Sequence, residues 1–243
     1  MKKIVLALAA TVCLASCVDA KLGKESVKEE LENALDISSD DASDKGKRVT
    51  ETVSVKPFEK ISVAGSFDVH YVQGETTSVK VEGPVKYLRQ TVIANDGKTL
   101  RIKTKRGVWR SMEDVNVYVT SPDLTHVSMA GSGEFDAEGM VDTDNLTLEL
   151  AGSGEIDFKQ LVCDNLNIQV AGSGDVDVES VDVNKADMQI AGSGDIKVHF
   201  VRADFVSAQV AGSGDIRLSG KAKQVDKKVA GSGDIDTSRL VTQ

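Results

Sequence analysis

The chain has 243 residues, enough for one elongated domain or two small ones, and 40% of them are hydrophobic. Only 4% are aromatic, which suits a thin solenoid interior better than a thick sandwich. The formal net charge of −9, from 38 acidic and 29 basic residues, argues against nucleic acid or an anionic lipid surface as a partner of the folded part.

Residues 1–16 have the features of a signal peptide: two lysines after Met1, then an apolar run too short to span a membrane. The sequence Leu-Ala-Ser-Cys ending at Cys17 resembles the lipobox of bacterial lipoproteins, in which the cysteine is lipidated and becomes the mature N-terminus. We therefore predict lipid attachment at Cys17, with a plain secretory signal as the alternative. Cys163 is then left without a disulfide or metal-site partner.

Residues 17–48 read as a lipidated, charged tether. The stretch 24–37 has apolar residues at helical spacing, and the segment after it has no apolar residue beyond alanine. A helix that binds a partner is the alternative to a solvated connection between lipid and domain.

Residues 49–243 form one domain, and its first part, 49–125, alternates like β-strands without a regular period. The stretch 61–69 looks like a worn copy of a motif that becomes regular later, and Asn-Asp-Gly at 95–97 is a hairpin signal. Since the terminal units of a solenoid must cover an open core and an unpaired edge, we predict an irregular N-terminal β cap with degenerate coils here.

Residues 126–243 are organised by the phrase Ala-Gly-Ser-Gly, which recurs six times at spacings of 19 to 21 residues. The copies begin at Ala130, Ala151, Ala171, Ala191, Ala211 and Ala230. Apolar residues alternate on both sides of each phrase, which predicts strands. A fixed period near 20 predicts a solenoid whose coils pair in parallel at roughly 4.8 Å. The predicted fold class is therefore all-β, a parallel β-helix with about 20 residues per coil.

The phase of the alternation predicts which residues face the core. In the second copy, Gly152 and Gly154 share parity with the apolar residues, so we expect both to point inward, where a residue without a side chain lets the backbone turn. Ser153 and Glu155 would then face solvent.

Stacking of coils places the acid after each phrase in one outward column, where like charges repel by roughly 1 kcal/mol per neighbour in water. One remedy is a structural calcium ion that bridges adjacent coils, and the other is hydrogen bonding from corner N–H groups or serine hydroxyls. The candidate calcium ladder is Glu155, Asp175, Asp195 and Asp215. The hydrogen-bonded arrangement is favoured, because the nine-residue period of calcium β-rolls is absent. No other cofactor is predicted.

Catalysis or recognition needs residues that break the repeat. Trp109, between Arg106 and Arg110, does so in a predicted loop, and Trp and Arg are frequent in binding hot spots. These three residues are candidate ligand contacts, with a Trp109 that plugs the cap as the alternative. We expect His70 and His199 to be outward residues of strands. No catalytic cluster is visible, so an enzyme is not predicted.

Further motifs accompany the repeats between residues 50 and 240. They are Lys-Pro-Phe-Glu-Lys-Ile at 56–61, Gly-Ser-Phe-Asp-Val at 65–69, Gln-Gly at 73–74 and Asp-Gly-Lys-Thr-Leu-Arg-Ile at 96–102. Together they resemble the head GIN domain family of auto-transporter adhesins, formerly a domain of unknown function. The resemblance implies a right-handed parallel β-helix like that of pectate lyases, on secreted or lipid-anchored proteins of Gram-negative bacteria. It implies no catalytic residues.

The sequence thus predicts an outer-membrane lipoprotein of the cell envelope, in contact with the membrane through its N-terminal lipid and not with nucleic acid. Its predicted role is adhesion or binding, in which a stiff β-helix surface meets a glycan or protein. A periplasmic structural or envelope-maintenance protein is the second hypothesis, and a polysaccharide lyase or hydrolase is the third. Surface-directed lipoproteins usually carry an acidic run after the lipidated cysteine, but residues 18–21 contain one acid, so the side of the outer membrane stays open.

Overall fold

The computed structural model describes residues 47–105 and 114–242, and it is nearly all-β, with 76% strand and 2% helix. The strands are β1 (Arg48–Val53), β2 (Lys60–Gly65), β3 (Asp68–Gln73), β4 (Ser78–Pro84), β5 (Thr91–Asn95), β6 (Thr99–Thr104), β7 (Asn116–Ser121), β8 (His126–Gly131), β9 (Glu134–Gly152), β10 (Glu155–Gly172), β11 (Asp175–Gly192), β12 (Ile196–Gly212), β13 (Ile216–Ala222), β14 (Gln224–Gly231) and β15 (Ile235–Thr242). One short helix, α1 (Val85–Leu88), follows β4. No helix in these two ranges is both long and apolar enough to cross a membrane.

The regular repeats form a β-solenoid of about six turns with about 20 residues per coil, which confirms the predicted fold class. Strands β9 to β12 each run through a whole coil and pair in parallel with the coils on either side. Ile156 pairs with Val176, and Val176 pairs with Ile196. Residues one repeat period apart in the sequence are therefore strand-pairing partners.

Each coil consists of three straight stretches around one core. In β10 the burial pattern alternates within 156–158, within 161–163 and within 166–170, and two adjacent exposed residues interrupt it at 159–160 and 164–165. The chain turns a corner at each interruption, and the Ala-Gly-Ser-Gly phrase makes the third corner. We call the resulting sides the first, second and third faces, in the order in which the chain meets them after the phrase.

The core consists of columns of apolar side chains, one from each coil. Leu148, Ile168, Met188 and Ala208 are in register and fully buried. Near the cap, the rings of Tyr71, Phe135 and Phe158 stack with centroid separations of 6.1 and 5.8 Å. Full burial of such a side chain contributes roughly 1.5–3 kcal/mol, so one column supplies much of the stability of the coils it joins.

The two glycines of each Ala-Gly-Ser-Gly phrase differ in burial and in backbone conformation. Gly154 is buried as expected, but Gly152 is half exposed, so the prediction that both point inward was wrong for the first glycine. Gly152 has a φ of 133°, and a Cβ there would lie 2.3 Å from the carbonyl oxygen of Gly131 in the preceding coil. The corner therefore needs glycine for its left-handed backbone and for the close approach of one coil to the next.

In the N-terminal part, the order of the coils in space differs from their order in the chain. Strand β2 lies between β6 and β8, and β3 lies between β7 and β9, all in parallel. Strands β4 and β1 then continue the first face in antiparallel pairing, and β5 continues the third. This is the irregular β cap that the sequence predicted. The hairpin signal at 95–97 is also confirmed, because β5 and β6 pair across it.

The last coil of the described residues has a lysine at an inward-facing position of β14. Lys227 pairs with Ala208, so it occupies a core column. Its Nζ donates a hydrogen bond to Oγ1 of Thr237 at 3.0 Å and lies 3.5 Å from the carbonyl oxygen of Ile235. An inward charge at the edge of a sheet opposes the stacking of a further strand.

Candidate functional site

The first face carries most of the non-repeating polar chemistry of the described residues. It is built from β7, β3, the opening stretches of β9 to β13, and β15, whose alternate residues point to the core. Its middle outward column is Tyr118, His70, Asp136, Asp157, Asp177, Lys197, Arg217 and Asp236. The column beside it, toward the phrase, is Asn116, Asp68, Glu134, Glu155, Asp175, Asp195, Asp215 and Asp234. These columns divide the face into an acidic half near the cap and a mixed half beyond it.

In the mixed half, each acid of the column is held by its neighbours. The backbone N–H of Asp195 donates to Oδ1 of Asp175 at 2.9 Å, and that of Asp215 donates to Oδ1 of Asp195 at 3.1 Å. The Arg217 guanidinium donates to Oδ2 of Asp195 at 2.7 Å and to Oδ2 of Asp215 at 3.1 Å. Partial burial acts to raise the pKa of Asp195, but the bonds from Arg217 and the Asp215 N–H outweigh it and lower that pKa.

The structure thus contains the hydrogen-bonded arrangement that the sequence favoured for the acid column. The four candidate calcium residues, of which Glu155 is the first, do lie in one column. Three of their carboxyl groups take part in the bonds just described. Among residues 47–105 and 114–242, no group of three or more His, Cys, Asp and Glu side chains is arranged to hold a metal ion.

The acidic half lacks such cations. Burial raises the pKa of Asp157 to about 6, helped by repulsion from Glu155 and Asp177. Burial also raises the pKa of Glu134, with repulsion from Asp136 and Glu155 adding to it. Burial and like-charged neighbours thus outweigh the nearby cations Lys159 and His70 at these two carboxyl groups.

His70 joins the acidic half to the cap. Its Nδ1 lies 2.5 Å from Oδ1 of Asp136, its Nε2 lies 3.1 Å from Oδ1 of Asn116, and its ring stacks on Tyr118 at 5.0 Å. Burial acts to lower the pKa of His70, but the bonds to Asn116 and Asp136 outweigh it and raise that pKa. The outward position was predicted. The contacts were not, because they depend on β3 lying between β7 and β9.

A shallow depression of about 130 Å³ lies in the mixed half. It is lined by Asp177, Val178, Glu179, Lys197, Val198, His199, Arg217, Ser219 and Arg239. The Nδ1 of His199 lies 2.9 Å from Oγ of Ser219, and Nζ of Lys197 lies 3.3 Å from Oδ2 of Asp177. Sequence analysis predicted only the outward position of His199 and did not predict this depression.

Of the other predicted residues, Cys163 is buried on the second face, and burial raises the pKa of its thiol to about 12. A thiol with so high a pKa is a packing group rather than a nucleophile. Arg106, Trp109 and Arg110 lie outside the described residues, as does Cys17. Their roles stay predictions.

Fold and site together define a β-solenoid that displays its functional groups on flat faces rather than in a deep cleft. Residues 57–180 and 168–243 match the family described as "Putative auto-transporter adhesin, head GIN domain". The chain belongs to this head GIN domain family. The description of the family points to the cell envelope or cell surface, and no curated protein matches the chain.

Solved structures agree with this assignment. A "putative adhesin" from Bacteroides fragilis is 26% identical, with a TM-score of 0.66, and the match covers 78% of this chain and 96% of that one. A "putative lipid binding protein" from Parabacteroides distasonis is 22% identical, with a TM-score of 0.60 and coverage of 81% and 97%. A "putative adhesin" from Parabacteroides merdae is 21% identical, with a TM-score of 0.55 and the same coverage. The last two support the fold alone, and none of these descriptions names an enzyme.

Proposed function

We propose that this protein is a lipid-anchored adhesin or binding module of the cell envelope, and that its first face contacts a glycan or protein ligand. The family description and the Bacteroides fragilis structure support the general role. In this proposal Cys17 carries the lipid, residues 17–48 connect it to the solenoid, and Arg106, Trp109 and Arg110 add contacts at the cap end.

The observation that carries the proposal is the acidic half of the first face, in which carboxyl groups outnumber the cationic groups. Carboxylates accept strong hydrogen bonds from hydroxyl and amine donors, which sugars and protein side chains both supply. The Tyr118 ring, 41% exposed, lies at one end of this row and offers an apolar surface on which a sugar can stack. Because the strands fix these groups in register, a ligand meets a preorganised row and orders few side chains on binding.

The two alternatives differ in what they require. A periplasmic structural protein is favoured by the single acid in residues 18–21, where surface-directed lipoproteins usually carry an acidic run. A polysaccharide hydrolase needs one carboxyl group as acid and a second at a set distance as base or nucleophile. The row around Asp157 repeats the same residue type from coil to coil, so it suits binding along a face better than reaction at one point.

The side of the membrane is tested on cells. Intact and lysed cells are treated with trypsin and blotted for residues 49–243, since the tether sequence contains several Lys residues. Loss of the anchored domain from intact cells would support adhesion at the surface. Protection until lysis would favour the periplasmic alternative.

The binding face is tested on the same cells with labelled glycans and matrix proteins. Replacement of Asp136 and Asp157 by Asn should weaken binding about a hundredfold if each carboxylate makes a charge-assisted hydrogen bond of about 1.5 kcal/mol. The matched control replaces Asp144 and Asp226, which are exposed elsewhere and carry the same charge. Equal losses in both double variants would refute the first face as the binding surface. An alanine at Trp109 tests the cap contacts in the same assay.

A further inference from the structure

The depression in the mixed half of the first face is bordered by one cationic side chain that makes no ion pair. Lys197 pairs with Asp177, Arg217 pairs with Asp195 and Asp215, and Glu179 pairs with Lys159. Within the described ranges, no carboxylate lies at ion-pair distance from Arg239, which borders the same depression, although its charge helps to lower the pKa of Asp236. An anion placed there would meet a guanidinium that no carboxylate contacts directly.

Neutral donors border the depression as well. When the Ser219 hydroxyl donates to Nδ1 of His199, the imidazole hydrogen is on Nε2 and can donate to a ligand. Lys197 is exposed and has hydrogen atoms left beyond its bond to Asp177. Four residues from three neighbouring strands therefore offer N–H or O–H groups to one small space: Lys197 and His199 from β12, Ser219 from β13 and Arg239 from β15.

The size of the space limits what can occupy it. The depression has a volume of about 130 Å³ and is open to solvent. This suits one small charged group better than a large ring system. A planar or tetrahedral oxyanion also matches the forked N–H groups of Arg239.

We propose that this depression is a subsite for a single oxyanion group, a carboxylate or sulfate, carried by an acidic polysaccharide. The inference rests on the proposed binding function and names the class of its ligand. The polymer crosses the first face at β12, β13 and β15 and places one anionic group against Arg239, Lys197 and His199.

The charge around the depression argues for a polymer strand and against an extended anionic surface. The acidic half of the same face carries Asp68, Glu134, Asp136, Glu155 and Asp157, and the chain as a whole has a net charge of −9. A membrane plane or a nucleic acid duplex would meet these carboxylates together with the depression. A single polysaccharide strand that runs parallel to the β-strands, rather than along the column from coil to coil, avoids the acidic half.

The test uses the chain from Cys17 to residue 243, immobilised by its N-terminus. Probes are polygalacturonate, chondroitin sulfate, neutral dextran, and vesicles with and without phosphatidylglycerol. The variant is Lys197→Gln with Arg239→Gln. The matched control is Lys221→Gln with Lys228→Gln, two exposed lysines outside the depression with the same total charge.

We expect the acidic polymers to bind and the site variant to bind them about a hundredfold more weakly, with the control within twofold of the parent, since the site variant loses two charge-assisted hydrogen bonds. Melting temperatures of all three proteins should agree within a few degrees. Equal weakening in the site and control variants would overturn the subsite.

Three further outcomes separate this inference from the proposed function. Binding of dextran as tightly as polygalacturonate, unchanged in the site variant, would overturn the anionic subsite and leave glycan binding intact. Binding of phosphatidylglycerol vesicles, reduced in the site variant, would overturn the polysaccharide as the carrier. No binding of any polymer or vesicle would overturn the subsite and remove support for a glycan ligand.

Discussion

Replacement of Gly152 by Ala tests whether the corner of the coil depends on glycine for both reasons given by the structure. The backbone there has a φ of 133°, which costs an L-residue roughly 1–3 kcal/mol. The new Cβ would lie 2.3 Å from the Gly131 carbonyl oxygen, so the two coils must move apart. That movement stretches the two backbone bonds that join these coils at the corner, from the Ser153 N–H to Gly131 (2.9 Å) and from the Glu155 N–H to Gly133 (3.1 Å).

Two weakened backbone bonds add about 1–3 kcal/mol, so we expect a total loss of about 2–6 kcal/mol in unfolding free energy. Because solenoids can unfold coil by coil, amide hydrogen exchange of the coils on either side is the suitable measurement. The control is Gly139→Ala, because a Cβ at Gly139 meets nothing within 4 Å. Unchanged protection of the amides near Gly152, or a loss equal to that of the control, would refute the reasoning.

Three more predictions follow from the described groups. Asp157→Asn should stabilise the fold at pH 7: the folded pKa of about 6 lies above the ordinary value of 3.8, so this carboxyl group lowers stability as pH rises between these values. With allowance for solvent screening, the free energy of unfolding measured in urea should rise by about 1–2 kcal/mol at pH 7. The increase should vanish below a pH of about 4, and an increase that persists there would contradict the prediction. Lys227→Val removes the inward charge at the last coil and should cause concentration-dependent association in analytical ultracentrifugation, whereas the outward neighbour change Lys228→Val should not. Cys163 should resist a thiol reagent at pH 8 until urea unfolds the chain, and fast labelling of the native protein would contradict its burial and raised pKa.

The regular part of the fold was predictable because residues one repeat period apart in the sequence pair with each other in adjacent coils. Once each coil takes about 20 residues, alternation alone decides that Ile156 is buried and Asp157 is not. The acid column and its basic neighbours could therefore be written down from the sequence, including Lys197 beside Asp177.

The N-terminal contacts were not predictable in the same way. A worn motif shows that β2 belongs to a coil, but it does not say that β6 stacks on the outer side of β2. The bonds of His70 to Asn116 and Asp136 depend on the position of β3 between β7 and β9. These partners are 46 and 66 residues away from His70 in the chain. Parity also failed at Gly152, because a left-handed residue breaks the period-2 geometry that the argument assumed.

The interleaved order of the first coils sets the order in which the chain can fold. Contacts that close the cap join residues about 40 to 50 positions apart, as in the pairing of Lys60 with Thr99 and of Asp68 with Asn116. Beyond β9, a new strand only has to find an edge formed about 20 residues earlier. Loop closure is slower and costs more entropy for distant partners, so we expect closure of the cap to be the slowest step and the repeats to form more readily. A chain released N-terminus first presents the whole cap before the regular repeats, so the slowest step is the first that can start.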